Sequence, residues 1–283
     1  MLSGQKYNSA KAEAWGSVVN ASIREAAVGL SVVTNRFSGE IDRMGSVVTM
    51  ITPGSVTAGA YTAYSNVSFV EPSDSTLQIT IDQADYTAVD VDDIDQTQAA
   101  NNLGNIYTEE AAWSLTDAQD QFVFSAYAAA NSGISSDHDN PVLATSLNLY
   151  ATIAKAAESL DKKNVPRRGR WLALDPVRVS NLRANPLFTM HYPPHELAAT
   201  IPSPGFCGSA CGFSVYSSNN LTTLSGVLKV MGGWRGAIGF AGPRTFQRFN
   251  RREEGFATAY KTLSVYGKKV AQPDALLTIH VQK

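Results

Sequence analysis

The feature that most constrains this chain is a change of hydrophobic period between Leu77 and Asn131. In Leu77-Gln78-Ile79-Thr80-Ile81-Asp82 apolar and polar residues alternate with period two, the pattern of a strand with one face buried. From Asp93 the period lengthens: Leu103, Ile106, Tyr107, Ala111, Leu115, Ala118, Phe122, Ala126 and Ala129 recur at three- and four-residue steps, with Glu110, Asp117, Asp120 and Gln121 between them. This predicts one long helix over residues 93–131, roughly 55 to 60 Å if unbroken, longer than a compact domain of this size requires. Asp90, Asp92, Asp93 and Asp95 crowd its expected start, where unpaired N–H groups and the positive end of the helix dipole favour acids.

Around this rod the elements follow in order. Ala12, Trp15, Val19, Ile23, Ala26, Leu30 and Val33 predict an N-terminal helix over residues 11–33, weakened by Gly16 and Gly29 by roughly 1 kcal/mol each. Residues 39–76 read as strands and turns: Val47 to Ile51 is β-prone, Pro53-Gly54 marks a turn, and alternation is poor. Strand propensity without a consistently buried face predicts an extended hairpin that lies on a partner. Ser132 to Pro141 reads as a loop that holds His138 between two aspartates. A second helix is expected over residues 145–164, with Leu149, Ile153, Ala157 and Leu160 in phase and Val165-Pro166 as its stop. Arg167 to Pro176 reads as a basic turn, a strand and a proline stop, and a short helix from Val177 to Asn185 follows. The last third alternates like strands, with Arg244, Arg248, Arg251 and Arg252 in a segment between them that also carries Phe246 and Phe249.

With 283 residues, 44% of them hydrophobic, the chain can bury a substantial core. Its net charge of -2 conceals a division: residues 1–140 carry 18 acidic against 5 basic side chains, whereas residues 141–283 carry 7 against 18. Such opposition serves either attraction within one folded unit or register between copies. No apolar run approaches the ~20 residues that span a bilayer, and the first ten residues do not resemble a signal peptide, so no membrane role and an intracellular, soluble product are expected. Cys207 and Cys211 are the only cysteines, without a His or Cys pair nearby to complete a zinc set. There is no phosphate-binding glycine loop, nucleophile elbow, His-Glu-x-x-His or dinucleotide fingerprint, and the four histidines are isolated. Neither catalysis nor a cofactor or metal is expected. Arginines interleaved with Phe246 and Phe249 have the chemistry to bind nucleic acid or a neighbouring subunit, and a pI near 6.1 opposes a dedicated nucleic-acid binder.

Three phrases carry a resemblance. Val89-Asp90-Val91-Asp92-Asp93-Ile94-Asp95-Gln96-Thr97-Gln98 is similar to the acid-rich entry to the spine helix in major capsid proteins of tailed bacteriophages. Val165-Pro166, then Gly169-Arg170 and the strand ending at Pro176, resembles coat proteins of short-tailed phages. So does Gly212-Phe213 entering a strand that ends in Ser218-Asn219-Asn220. The resemblance implies an α+β, HK97-like fold with an N-terminal arm (1–38), an extended loop (39–76), a peripheral region with the spine helix (77–165), an axial domain (166–255) and C-terminal strands returning to the peripheral region (256–283). It further implies a shell subunit that partners itself in hexamers and pentamers, together with portal and scaffolding or decoration proteins. The shell would enclose double-stranded DNA bound without sequence specificity, placing the protein in the virion after a stage in the host cytoplasm. Val48, Met50, Ile51, Pro53 and Gly54 of the hairpin, with Arg244, Arg248, Arg251 and Arg252, are the expected contacts between copies. If the stripe packs as read, Leu115→Asp should cost several kcal/mol and leave insoluble chain; soluble, normally folded variant protein would remove the helix assignment.

Overall fold

The period-two and period-3.6 segments become separate layers in the computed structural model, which describes residues 27–34, 45, 47–52, 58–61, 63, 64, 66, 69, 75–93, 103–130, 132–134, 141–143, 145, 148–191, 205–253 and 255–282. In chain order the elements are α1 (Gly29–Val32), β1 (Val47–Thr52), β2 (Ser75–Thr80), β3 (Gln83–Asp92), α2 (Leu103–Phe124), β4 (Ser132–Ile134), α3 (Leu149–Lys162), β5 (Arg170–Leu174), α4 (Pro176–Arg183), α5 (Pro186–His191), β6 (Phe206–Ala210), β7 (Phe213–Ser217), β8 (Thr223–Leu224), β9 (Val227–Trp234), β10 (Ile238–Arg251), β11 (Ala257–Val270) and β12 (Leu276–Gln282). The strands form a ribbon β1-β2, a three-stranded sheet β10-β11-β3, and a larger mixed sheet ordered β4-β12-β9-β5-β7-β6 with β8 beside β9.

The larger sheet holds the main core. Trp171, Leu172, Ala173 and Leu174 of β5 are all buried, as a central strand covered on both faces requires. They share one apolar cluster with Leu149, Ile153 and Leu160 of α3 and with Val123 and Phe124 at the end of α2. The basic turn before β5 closes α3: Arg170 is buried and donates to the carbonyls of Val165 (2.6 Å) and Pro166 (3.0 Å) and to Asp161 (2.7 Å). Those hydrogen bonds, with a further one from Arg167, hold the Asp161 carboxyl below its usual range. Pro166 and Asn164, the latter at φ 55°, explain why α3 stops where the sequence indicates. Pro176 then occupies the first turn of α4, where its missing N–H is harmless.

Several expectations are corrected. Asp90 and Asp92 belong to β3, not to the start of a helix; Val89-Asp90-Val91-Asp92 also alternates with period two, and pairing with Ala257–Tyr260 of β11 decides the matter. Asp93 is the first helical residue beyond the strand, residues 94–102 lie outside the described residues, and the rod tightens from α2 into a 3-10 turn at Ser125–Ala129. The strand expected from Leu77 begins at Ser75. The run after Asn131 is not all loop: Ser132–Ile134 pairs in parallel with β12, while His138 lies outside the described residues. Of the N-terminal helix only α1 is described, with Val28, Val32 and Val33 buried in the main core. The segment 238–251 is one continuous strand whose partner is β11, so the arginines sit in a hairpin, and the expected boundary between residues 255 and 256 falls at its tip.

The largest departure is Asp120, expected on the solvent face of the rod but fully buried. It accepts the N–H of Gly29, the Asn220 amide (2.9 Å) and the Ser218 hydroxyl (3.4 Å), so one carboxylate fastens the N-terminal segment and the turn after β7 to α2. A Cβ on Gly29 would lie 2.8 Å from Asp120 Oδ1, which is why glycine stands there. Burial raises the Asp120 pKa above the ordinary 3.8, against the hydrogen bonds from Asn220 and Gly29 that lower it. A carboxyl with a raised folded pKa contributes most to stability below its unfolded pKa, and that contribution is lost as pH rises through the folded value. Denaturant titrations from about pH 4 to about pH 7 should therefore show the stability of wild type relative to Asp120→Asn falling as pH rises; a difference that grows with pH would contradict the burial term.

Candidate inter-subunit surfaces

Three exposed features could meet another molecule: the ribbon β1-β2, the tip of the β10-β11 hairpin, and the sheet face turned away from α2. Each is built from alternation. In β3 the odd-numbered residues from Gln83 to Val91 are partly or fully buried and the even-numbered ones are exposed. The inward face meets α2, as Gln119 shows by donating to the Ser264 hydroxyl at 3.0 Å, with Ser264 directly opposite Asp85. Phe122 and Phe240 pack on Tyr266, with ring centroids 5.2 and 6.0 Å apart. Lys268 donates to the Phe122 carbonyl and the Ser125 hydroxyl at the end of α2, where a cation complements the helix dipole, and burial pulls its pKa down to about 8.

The ribbon rests on the opposite face. Val48, Ile79 and Ile81 join Ala241 and Val265 in a second, smaller cluster, and a Cβ on Gly267 would collide with the Thr80 carbonyl, so glycine permits the crossing. Val48 therefore packs within its own chain, which corrects its expected place in a contact between copies. Met50 and Ile51 are paired in β1 opposite Leu77 and Thr76, and Pro53 and Gly54 lie outside the described residues. In the loop beyond, Tyr61, Tyr64 and Phe69 are exposed.

At the hairpin tip Arg251 pairs with Asp93 at 2.7 Å and Arg252 with Asp90 at 3.0 Å. The opposite charges of the two halves thus meet here within one chain, and two of the four arginines are neutralised by acids that the strand β3 brings alongside. Arg244 is placed by its backbone opposite Val265, and Arg248, which is exposed, opposite Lys261. Beyond the ribbon, on the same face as Val265, the register sets Phe246, Leu263 and Tyr86 in one row across the three strands, with Arg248, Lys261 and Ala88 in the next. These rows line an open cleft of about 700 Å³. Sequence reasoning missed Tyr86, Leu263 and Lys261; the signal was the alternation from Gln83 to Asp92, hidden by reading its acids as a helix start.

No helix among the described residues is long and apolar enough to cross a membrane, and no group of three or more His, Cys, Asp and Glu among them is placed to hold a metal. Cys207 is buried on β6 and Cys211 sits in the tight β6-β7 turn at φ 49°.

A family model described as phage capsid protein matches residues 74–279, nearly three quarters of the chain. The chain belongs to the phage capsid protein family. Solved structures agree on the fold along almost the whole length. A chain from Mycobacterium phage Che8 is 22% identical, with a TM-score of 0.71 and coverage of 95% of this chain and 96% of that one. The capsid of cyanophage P-SCSP1u gives 16% identity and a TM-score of 0.73, covering 96% and 93% of the two chains. The capsid of Ralstonia phage GP4 gives 15% identity and a TM-score of 0.71, covering 95% and 94%. No match was found among curated proteins. The HK97-like fold of a tailed-phage major capsid protein is therefore the architecture just described, and the capsid protein's place is the virion.

The ion pairs at the tip are exposed, with Arg251 and Arg252 side chains at 74% and 60% accessibility. Arg251→Ala and Arg252→Ala should each change the stability of the unassembled capsid protein by less than about 1 kcal/mol in denaturant titrations, because exposed pairs are screened and entropically costly. A loss of about 3 kcal/mol from either would mean that the pairs hold the tip fold itself.

Proposed function

We propose that this capsid protein assembles through pentamers and hexamers into a closed icosahedral shell around double-stranded DNA, held without sequence-specific contacts, and that it performs no chemistry. The observation that carries this reading is the match of the chain, over nearly its whole length, to the fold of phage capsid structures. What supports the absence of catalysis is membership of a structural protein family. The work of such a subunit is surface complementarity: heterologous contacts close into rings and rings into a shell. Each contact can be modest, because a subunit gripping several neighbours is held by effective concentration.

Within that reading the division into an arm (1–38), an extended loop (39–76), a peripheral region, an axial domain and returning C-terminal strands is the functional anatomy. The loop between β1 and β2 is the element that reaches a neighbour, through Met50, Ile51, Pro53 and Gly54 and the exposed Tyr61, Tyr64 and Phe69. The hairpin tip with Arg251 and Arg252 makes a second contact, and portal and scaffolding or decoration proteins complete the partners.

The test is direct. Electron microscopy and light scattering of the expressed chain, with its scaffold where one is needed, should show hollow particles tens of nanometres across. Deleting residues 58–66 should abolish them while circular dichroism and a cooperative melt persist. A wild-type chain that stays monomeric under every assembly condition would overturn the reading, and particles of normal yield from the deletion would remove the loop from the contact.

A further inference from the structure

The division of charge along the sequence is only partly explained by the hairpin tip. Seven of the 18 basic residues in 141–283 gather instead at one corner of the larger sheet, where α3 ends. Lys155 and Lys162 lie two turns apart on one face of α3 with Glu158 between them, and Lys163, Arg167 and Arg168 follow in the connection to β5. The Gly169 carbonyl accepts the Arg235 N–H at 3.1 Å, which sets the turn after β9 alongside and adds a sixth exposed cation; Arg170, the seventh, is buried. Three carboxylates answer the six: Glu158 meets Lys162 at 2.7 Å, Asp161 meets Arg167 at 2.8 Å and Asp274 meets Lys163 at 2.8 Å. Lys155, Arg168 and Arg235 form no ion pair among the described residues, and the Arg235 guanidinium donates to the Ser31 carbonyl at 2.7 Å. An excess of three positive charges thus sits on a chain whose net charge is -2. Its field is felt by Glu158, whose carboxyl the hydrogen bond from Lys162 and the charges of Lys162 and Lys155 hold below its usual range. No large apolar side chain is exposed between residues 151 and 169.

We infer that this corner faces the inside of the shell and binds the phosphate backbone of the enclosed double-stranded DNA. The inference rests on the shell reading and adds to it the surface that meets the genome. The make-up of the patch selects the occupant. A surface that docks another protein, a second copy included, has an apolar or aromatic centre and is depleted in lysine, whereas this one is rich in lysine and arginine and has no apolar anchor. A duplex needs none. It presents one negative charge per about 1.7 Å of its axis, so the roughly 12 Å of helix from Lys155 to Lys163 would lie against about seven phosphate charges. Long exposed side chains follow a phosphate backbone of any sequence, and ion pairs as exposed as those of Glu158 and Asp274 exchange a carboxylate for a phosphate readily. One copy with three excess charges binds weakly; many copies lining one shell hold the same molecule by repetition.

The probe is a short fluorescent duplex, titrated at low salt with the unassembled full-length chain and followed by anisotropy. Wild-type protein should bind duplexes of unrelated sequence equally, and log affinity should fall linearly with log salt at a slope of about -3, set by the excess charges. Lys155→Glu combined with Arg168→Glu should weaken binding about tenfold or more and flatten that slope. Both positions are exposed, so circular dichroism and the melt should match wild type, and Lys155→Ala with Arg168→Ala repeats the measurement with a milder change. Arg248→Glu, on the hairpin and outside the patch, should leave binding unchanged. Assembled particles should bind a plasmid-length duplex, too large to enter, far more weakly than the free chain does. Duplex binding lost in the double variant while electron microscopy still shows particles supports the inference. No binding by wild type, unchanged binding in the double variant, or tighter binding of polyglutamate than of duplex overturns it. Particles that hold the plasmid as tightly as free chains would overturn the inward placement, and loss of particles together with duplex binding would mark the corner as a contact between copies and overturn it too. A chain that binds duplex through this corner yet never forms particles would instead defeat the shell reading and leave the phosphate-binding surface standing.

Discussion

The structure depends on the seam between α2 and β11. A three-stranded sheet as long as β10-β11-β3 has no core of its own and is stable only with one face covered. The helix α2 supplies that cover through Phe122 against Tyr266 and Gln119 against Ser264, while Lys268 binds the end of the helix back to the strand. The same end of α2 delivers Val123 and Phe124 to the main core, so one rod is embedded in the large sheet at one end and carries the hairpin along the rest of its length. Thr34 reinforces the junction by pairing with both Ile238 and Phe240 at the base of β10. The sheet is therefore fastened to the rod along a packed seam, which is what a subunit that must present surfaces at fixed positions requires.

Polar groups do the fastening at the places where this design joins its parts. Asp120 spends a buried carboxylate on three donors from two other segments; its cost is visible in the raised pKa, and its return is a unique placement of α1 and the turn at Ser218 against the rod. Arg170 performs a similar task for α3 and β5, satisfying two carbonyls that the Pro166 stop would otherwise leave orphaned. Breaking either would strand buried partners, so these positions specify arrangement more than they add net stability.

How much of this was legible follows from which rule each segment obeys. The rod, the helix α3, the strand at Trp171 and β11 announce themselves because period and burial agree, whereas β10 does not, and the order of elements was enough to suggest the capsid architecture. Asp90 and Asp92 misled because acids fit a helix start and an exposed strand edge equally well; only the partner strand, more than 160 residues away in β11, separates the two. Asp120 was illegible for a different reason. A carboxylate on a helix is solvated unless distant residues bring it donors, and Gly29 and Asn220 lie 91 and 100 residues from it. Ser132–Ile134 is likewise a strand only because β12 runs alongside, since three residues of Ser-Gly-Ile have no propensity that would mark them.

Among the described residues both outer strands of this sheet, β10 and β3, are edges apart from the Thr34 bridge at Gly239, and a long uncovered edge invites pairing with any other extended chain. Here the edges carry Asp85, Asp90 and Asp92 on one side and Arg248 and Arg251 on the other, charges that oppose indiscriminate strand addition while leaving side-chain surfaces open. The two edges carry opposite signs, β11 lies between them along the strands, and at the tip Arg251 and Arg252 reach Asp93 and Asp90. An assembling subunit must be sticky at chosen places and inert elsewhere. The sheet achieves this by keeping its apolar residues on a face, where only a shape-matched partner can cover them, and its charges along the edges, where any partner would otherwise do.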